Sequence, residues 1–545
     1  MPPNPEQVAG RPGPGAPSRP PGPPTQAPGG PAHGAPRPKG TAVASSAGRE
    51  RPTPRSPSWG SRLRAALGTT PARVWALSLL CVATIAGLFG SATVTLDQAR
   101  DGLDVLGRDA GPQAMATTEL YLALADMDAR VADILLMGTD HDLGSGRAEA
   151  ESGYEASRAQ AGRALLHAAS LTESSEPTEP TDGETVEERN VQAVLDGIGA
   201  YEQLAAQALL LNDEAGAPPG EVDPAALQSH RQATRLMHTE LLPKAFNLGL
   251  DSSAIVRTNH EEGRSSVALG LVWVGGAGVA TVVSLIALQL YLRVRFRRRF
   301  NAPLLAATVG AVVLTVGVTL ALNSSGGHQG EAKDEGLDAA MALARAGAIT
   351  TDMQADQSRY LIDDSLADNY QQVYLERSQQ VLFRPASNLD DYYARIAEVP
   401  EAFPNLPGSD GSDGSDPEDP GTLGYLGQDA RDALLSGHEG ALAEVLAAYN
   451  DLQVEDQSLR TAAREGDQET AIDVRMGISH TEDGVFPAYM DALDGLIELH
   501  QEEFADGIER GNAALAPWTW GLPVGALILL TLVVVGVRPR LAEYR

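Results

Sequence analysis

The sequence predicts an all-α integral membrane protein with four transmembrane helices and two duplicated extracytoplasmic four-helix bundles. Four runs contain no charged residue and reach the ~20 residues that a helix needs to cross the hydrocarbon of a bilayer. They cover residues 74–96, 266–292, 302–322 and 517–537. The two long loops, 97–265 and 323–516, show helical periodicity and no alternating strand pattern.

The short turn between the second and third runs, residues 293–301, indicates the topology. It holds five arginines: Arg293, Arg295, Arg297, Arg298 and Arg299. Short cationic loops remain in the cytoplasm. The N-terminal segment 1–73 carries 10 basic and 2 acidic residues, and the C-terminal segment 538–545 carries 3 and 1. We therefore expect a multi-pass protein of the plasma membrane with both termini in the cytoplasm.

The two long loops have the opposite charge. Loop 97–265 has 12 basic and 30 acidic residues, and loop 323–516 has 11 and 39. Such acidic exterior domains disfavour nucleic acid as a partner. Arginine outnumbers lysine 38 to 3, a bias that suggests a bacterium with a GC-rich genome.

The N-terminal segment 1–73 is predicted to be a disordered cytoplasmic tail. Pro, Gly, Ala and Ser dominate its first 60 residues, and this composition buries too little apolar surface to offset the entropy of ordering. Two interpretations remain open: a docking site for a cytoplasmic partner, and a solvated tail beside anionic lipid.

Each long loop is expected to fold as four helices. In the first loop, Leu120, Leu124, Met127, Val131 and Ile134 are spaced 4, 3, 4 and 3, which is a heptad seam. The other three helices of the first loop are predicted at 148–171, at 191–211 and from 224 onward. The four helices of the second loop are predicted at 335–361, at 368–397 with a break at Pro385, at 428–463, and in a long final stretch that ends before 517.

The two loops also indicate an internal repeat. A shift of 226 residues lays the first apolar run on the third and aligns 126–129 (DMDA) with 352–355 (DMQA). Near the end of each loop, the triplet at 238–240 (HTE) has a counterpart at 480–482 (HTE). A proline follows each triplet within seven residues. The shared order of these matches favours duplication.

The repeated triplets supply the candidate exterior site, which consists of His238, Glu240, His480 and Glu482. A His and a Glu two residues apart point in different directions on a helix, so they are poorly placed to share a metal ion. We expect an ordinary polar helix start or a bundle contact rather than a ligand site. His500 falls on a seam with hydrophobic residues, which is typical of a core histidine rather than a pH sensor.

Motifs of known chemistry are absent from the sequence. It contains no phosphate-binding Gly-rich loop, nucleophile elbow or kinase catalytic loop. The single cysteine, Cys81, excludes an internal disulfide and a thiolate metal site. Aspartates recur every third residue in 408–416, whereas a calcium loop needs acids at alternate positions, so this segment is interpreted as a linker. We expect no enzyme activity, no cofactor and no bound metal.

Four spans, two helical exterior bundles, a short Arg-rich hairpin and no cytoplasmic enzyme resemble the GlnX family of actinobacterial membrane proteins. The resemblance covers residues 74–545. It implies a relay from a lipid-anchored glutamate/aspartate-binding protein, GlnH, to the soluble Ser/Thr kinase PknG. The bundles are also similar to the four-helix sensor domains of chemoreceptors and sensor kinases, although this chain lacks their cytoplasmic signalling segment.

The function predicted from these features is non-enzymatic transmembrane signalling. A solute-binding lipoprotein outside would act through the bundles and spans on a kinase or another effector inside. The arginines of 293–299 and the N-terminal tail are the candidate inner contacts, unless the arginines serve topology alone. The alternatives are a cell-envelope scaffold or assembly protein and a direct small-molecule receptor. Because aromatic residues make up only 5% of the chain, a protein partner is favoured over an apolar ligand.

Overall fold

Long helices connect the apolar spans directly to the helices of the two long loops. The computed structural model describes residues 70–139, 146–174, 186–296, 301–403, 424–427, 438–480 and 484–542. These described ranges are helical and contain no strand. They belong to one compact unit, residues 64–545. The predicted linker 404–421 and all but the last residues of the predicted tail lie outside them.

The first half of the described chain, residues 70–296, contains six α-helices. They are α1 (Thr70–Asp104), which passes through a π-turn (Val105–Ala110) into α2 (Gly111–Met137), then α3 (Arg147–Ser174), α4 (Val186–Ala215), α5 (Pro224–Leu236), a second π-turn (Met237–Leu241) and α6 (Leu242–Phe296). Asp223 caps α5 by accepting hydrogen bonds from the amides of Ala225 and Ala226. The five predicted seam residues of α2 are all buried, which confirms the heptad pattern.

The second half, residues 301–542, begins like the first. Its elements are α7 (Ala302–Glu331), a π-turn (Ala332–Asp338), α8 (Ala339–Ile362), a short 3-10 turn (Asp364–Leu366), α9 (Ala367–Val381), α10 (Leu389–Ile396), α11 (Val399–Ala402), α12 (Glu439–Glu465), α13 (Gln468–Ser479), α14 (Val485–Leu515) and α15 (Trp518–Ala542). The predicted break at Pro385 lies between α9 and α10. Gly466 ends α12 with a φ of 79°, a left-handed conformation that favours glycine.

Four helices are long and apolar enough to cross a membrane, as predicted. Their apolar segments lie in α1, α6, α7 and α15. α1 packs on α6, α6 on α7, α7 on α15, and α15 on α1, which closes a four-helix bundle. Polar groups join neighbouring spans: the Oγ atoms of Thr84 and Ser284 lie 3.0 Å apart, and Asn301 Nδ2 donates to the carbonyl oxygen of Gly536 over 2.9 Å. Large apolar side chains cover the outward faces, as contact with lipid requires.

Two of the π-turns lie where a span enters the exterior part of the chain. The first turn covers 105–110 and the third covers 332–338, so the 226-residue shift found in the sequence superposes them almost completely. The first precedes Pro112, whose missing amide hydrogen and bulky ring disturb regular α-helical bonding. π-turns of this kind are frequent at functional positions of helices.

A small cluster packs the two π-turns together. It consists of Leu106, Ala114, Ala332, Leu337, Met341 and Phe504. A Cβ atom added to Gly336 would lie 2.7 Å from the backbone of Phe504, so a larger residue at 336 would force α14 away. His500 Nδ1 lies 2.6 Å from the carbonyl oxygen of Glu335 in the same turn. His500 is therefore a buried residue at this joint, in keeping with the expectation from its spacing.

The helices of the two long loops share one hydrophobic core. This core runs from Leu120 to Leu248 in the first half and from Leu343 to Leu496 in the second. The sequence predicts two bundles, and no pattern in it indicates the contact between them. α2 and α8, the helices that the 226-residue shift aligns, pack against each other at the centre of this core.

Candidate functional site

A buried ion pair joins α2 to α8. Arg359 on α8 contacts Asp128 on α2, and the two side chains are 1% and 0% exposed. Arg359 Nη1 also donates to Asp356 Oδ1 over 2.8 Å, and the Tyr201 hydroxyl donates to Asp128 Oδ1 over 2.8 Å. Burial alone would raise the pKa of Asp128, but Arg359 and a hydrogen bond from His238 hold that pKa well below its usual range.

A second buried cluster surrounds Asp133, five residues further along α2. Arg475 Nη2 donates to Asp133 Oδ1 over 2.7 Å, and His480 Nε2 lies 2.8 Å from Asp133 Oδ2. Ser358 Oγ donates to Asp133 Oδ1 over 2.5 Å. Burial would raise the pKa of Asp133, but these partners outweigh it and lower the pKa to about 2. Both clusters therefore join the two halves through charged groups.

The two repeated histidines both face this interface between the halves. His238 Nε2 lies 3.5 Å from Asp128 Oδ2 and 3.5 Å from Asp352 Oδ1. His480 lies against Asp133 of the opposite half. By contrast, Glu240 is exposed and pairs with Lys244, 3.2 Å away on the helix surface. The structure thus separates the members of the triplet at 238–240: the histidine reaches the interface and the glutamate does not.

Most of the other residues singled out in the sequence lie outside the described part of the chain. Glu482, Arg297, Arg298 and Arg299 are among these. Arg293 is exposed near the end of α6, and Arg295 belongs to the same helix. A role for the arginine turn stays a prediction.

A cavity of about 690 Å³ lies between the halves beside Asp352. The first half contributes residues of α2, α5, the second π-turn and α6, and the second half contributes residues of α8 and α9. Aromatic side chains line it from both halves: Tyr121, Phe246, Tyr370 and Tyr425. The low aromatic content of the whole chain had disfavoured such a pocket, yet four of its 26 aromatic residues line this one. Cavities of this volume are typical of small-molecule sites.

Five arginines line the same cavity: Arg231, Arg235, Arg345, Arg359 and Arg377. Three of them are paired with aspartates: Arg231 binds Asp363, Arg377 binds Asp352 and Asp356, and Arg359 binds Asp356 and, in the first half, Asp128. Within the described ranges, Arg235 and Arg345 have no carboxylate oxygen within 4.0 Å. The Arg345 guanidinium lies over the ring of Phe246, 5.5 Å from its centroid.

A smaller cavity of about 300 Å³ lies against the same two central helices. Asp126, Ser479 and Pro487 line it, whereas Asp352, His238 and Pro243 line the larger one. The residues that the sequence repeat matched therefore occupy corresponding places in the two cavities, with Ser479 adjacent to the repeated His480. Only Arg130 supplies a guanidinium to the smaller cavity, and it pairs with Asp126 over 3.3 Å.

Asp128, His238 and Asp352 bring three possible metal-ligating atoms within 4.8 Å of one another. The surrounding charges do not fit a resident cation. Arg359 contacts Asp128, and Arg377 Nη2 lies 2.5 Å from Asp352 Oδ2. A divalent ion would have to displace two guanidinium groups from the carboxylates that it needs. The cluster is therefore better described as an ionic contact between the halves.

Sequence reasoning identified Asp128 and Asp352 only as repeat positions, and it missed Arg359, Arg377 and Arg345. One signal was present: Asp352, Asp356 and Arg359 are spaced 4 and 3, which puts three charged residues on one face of α8. That spacing matches the apolar seam of α2. A charged seam of this kind indicates either a solvated face or a buried polar interface, and only the packed structure distinguishes them.

In the described part of the chain, four helices long enough to cross a membrane carry a helical body with a polar cleft between its halves, an arrangement compatible with a membrane sensor. Residues 102–261 match the family model described as an actinobacterial sensor domain. The matched segment begins at the end of α1 and extends into α6, and so it supplies one wall of the larger cavity. No curated protein and no solved structure matches the chain.

Proposed function

We propose that this chain is a non-enzymatic transmembrane signal transducer of a bacterial plasma membrane. The observation that carries the proposal is the continuity of two helical pairs, α1 with α2 and α7 with α8. Each pair runs from a span into the exterior body, and the two pairs meet at the Asp128–Arg359 contact. A change at this contact alters two membrane spans together, because the helices that form it continue into the bilayer. Helix displacements of ~1–2 Å are the usual scale of such coupling.

The relay proposed from the sequence has an outer and an inner partner. The outer partner is a solute-binding lipoprotein, and the inner partner is a Ser/Thr kinase or another effector. The match of 102–261 to a sensor domain supports the sensing role. Co-purification from native membranes, followed by identification of the bound proteins, tests this choice. Recovery of neither partner type, with a sensory response intact, contradicts it.

A distance measurement between the spans tests the transducer itself. Spin labels at Trp75→Cys and Leu305→Cys, both exposed on the spans, are compared in a Cys81→Ala background in lipid nanodiscs. Arg359→Met breaks the central pair, and we expect it to change the mean label distance by ~1–2 Å. The control is Arg510→Ala, which removes an exposed pair with Glu503. Equal distances in all variants would favour the scaffold alternative.

The cavity favours a second candidate, a direct small-molecule receptor. Its volume of about 690 Å³ and its mixed aromatic and arginine lining are those of a ligand site. The two candidates share one mechanism, because a small ligand and a protein partner would both act on the contact between the halves.

A further inference from the structure

We propose that the 690 Å³ cavity binds an elongated organic anion with an aromatic or other apolar body and a hydrogen-bond donor at its far end. The proposal deepens the proposed function by naming the ligand class of its cleft. It rests on three features of the lining: cations without acidic partners, a buried acceptor without a donor, and the distance between them.

The cationic end of the site is formed by Arg345 and Arg235. The three other arginines of the cavity are engaged by aspartates, whereas no described carboxylate lies within 4.0 Å of these two. Arg235 is exposed and Arg345 is half-buried, so a ligand in the cavity can reach both guanidinium groups. A guanidinium binds a carboxylate or a phosphate through two parallel hydrogen bonds.

The opposite end of the site is formed by Asp352. This residue is 2% exposed and lines the cavity, and its Oδ1 atom has no hydrogen-bond partner, although His238 Nε2 and Arg359 Nη1 lie 3.5 and 3.7 Å from it. A buried acceptor without a donor is costly to leave unsatisfied. A hydroxyl group or another donor on the ligand would satisfy it. Among its described lining residues the smaller cavity has no arginine without an acidic partner, since Arg130 is paired with Asp126.

The spacing of the two ends sets the length of the ligand. Arg345 and Asp352 are seven residues apart on α8, which places their Cα atoms ~10 Å apart at ~1.5 Å per residue. Phe246, Ile349, Val373 and Tyr370 line the cavity as well, and they suit a flat apolar body. A hydroxyaryl carboxylate therefore matches the site in length, charge and shape.

The test uses the full-length chain in lipid nanodiscs and four probes. 4-Hydroxycinnamate carries all the proposed features, its amide lacks the charge, cinnamate lacks the hydroxyl, and phenyl phosphate replaces the carboxylate. Binding is measured by calorimetry. We expect 4-hydroxycinnamate to bind, the amide to bind at least about tenfold more weakly, and cinnamate to bind several-fold more weakly. Phenyl phosphate distinguishes a general anion site from a carboxylate site.

Matched variants locate the binding. Arg345→Gln is expected to weaken 4-hydroxycinnamate about tenfold or more, while Arg130→Gln in the smaller cavity leaves the affinity unchanged. Failure of both anions to bind the folded wild-type chain at ~1 mM overturns the proposal. The proposal is also overturned if 4-hydroxycinnamate and its amide bind with equal affinity, or if Arg345→Gln and Arg130→Gln weaken the binding of 4-hydroxycinnamate equally. The spin-label distances are measured in the same samples. Anion binding without a change in label distance contradicts the proposed transducer and supports the anion site. A change in label distance caused by Arg359→Met, without any anion binding, supports the transducer and contradicts the anion site.

Discussion

Asp128 and Arg359 form a buried ion pair between two helices that the sequence repeat places at related positions. The two side chains are among the least exposed charged groups of the described chain. Two charges are expensive to remove from water, and a buried pair stabilises a structure mainly because each partner would otherwise remain uncompensated. The main role of the pair is therefore to fix the arrangement in which the two halves dock, and its net contribution to the free energy of unfolding is small.

Removing one partner of this pair should destabilise the chain more than replacing both partners with apolar residues. We expect Arg359→Met to cost about 3–5 kcal/mol, because Asp128 then stays buried without its cation. The double variant Asp128→Leu with Arg359→Met should recover part of that loss. The readout is thermal unfolding of the full-length chain in nanodiscs. Arg510→Ala, at an exposed pair, should cost less than about 1 kcal/mol. A double variant less stable than Arg359→Met would contradict this explanation.

Phe504 should control how firmly the spans are joined to the exterior body. Its ring packs between the two matched π-turns. Removing it leaves a cavity, so we expect Phe504→Ala to lower stability by about 3–5 kcal/mol. Amide hydrogen exchange should increase in 105–110 and 332–338 before it increases in α2 or α8.

Leu210→Ala serves as the control for the Phe504 variant, since Leu210 is exposed. It should change neither the unfolding temperature nor the exchange in the π-turns. Uniform acceleration of exchange throughout the Phe504 variant would indicate global unfolding rather than a local joint.

The membrane topology can be measured with alkaline phosphatase fusions, which are active only outside the cytoplasm. Net charges of −18 for 97–265, +5 for 293–301 and −28 for 323–516 predict active fusions at residues 180 and 410 and an inactive fusion at 297. The four spans of the structure require this alternation. Activity at 297 would overturn the predicted orientation.

Helical periodicity was sufficient to predict the spans, the helices of the first loop and the buried seam of α2, because apolar residues recur at the helical period. In the second loop, the expected long final helix is divided into α13 and α14, and the short α11 was not expected. The sequence also predicts an internal repeat, and the π-turns at 105–110 and 332–338 are consistent with that prediction. The docking of the halves was not predictable, since it depends on charged residues such as Arg359 that look solvent-exposed in a sequence. The cavity was hidden for a related reason: composition averages over the chain, whereas folding gathers Tyr121, Phe246 and Tyr370 in one place.

His230 should make the stability of the chain depend on pH between about 4 and 6.5. Its ring is buried, and neither nitrogen has a hydrogen-bond partner. Burial lowers the pKa of His230 to about 4, Asp128 and Asp363 act to raise that pKa, and Arg359 and His238 act to lower it. The pKa of an unfolded histidine is about 6.5. Between pH ~6.5 and ~4 the histidine is protonated in the unfolded chain but stays neutral in the folded chain. The contribution of His230 to stability therefore falls as the pH decreases from ~6.5 to ~4, and it does not change with pH above ~6.5.

The expected loss is on the order of 3 kcal/mol across that window, from ~1.4 kcal/mol for each unit of pKa difference. His230→Gln cannot titrate and should flatten the pH profile of the unfolding temperature, measured on the full-length chain in nanodiscs. His167→Gln, at an exposed position, should leave the profile unchanged. If the slope between pH 4 and 6.5 survives in His230→Gln, the titrating group lies elsewhere, and the neighbouring His238 becomes the residue to replace next.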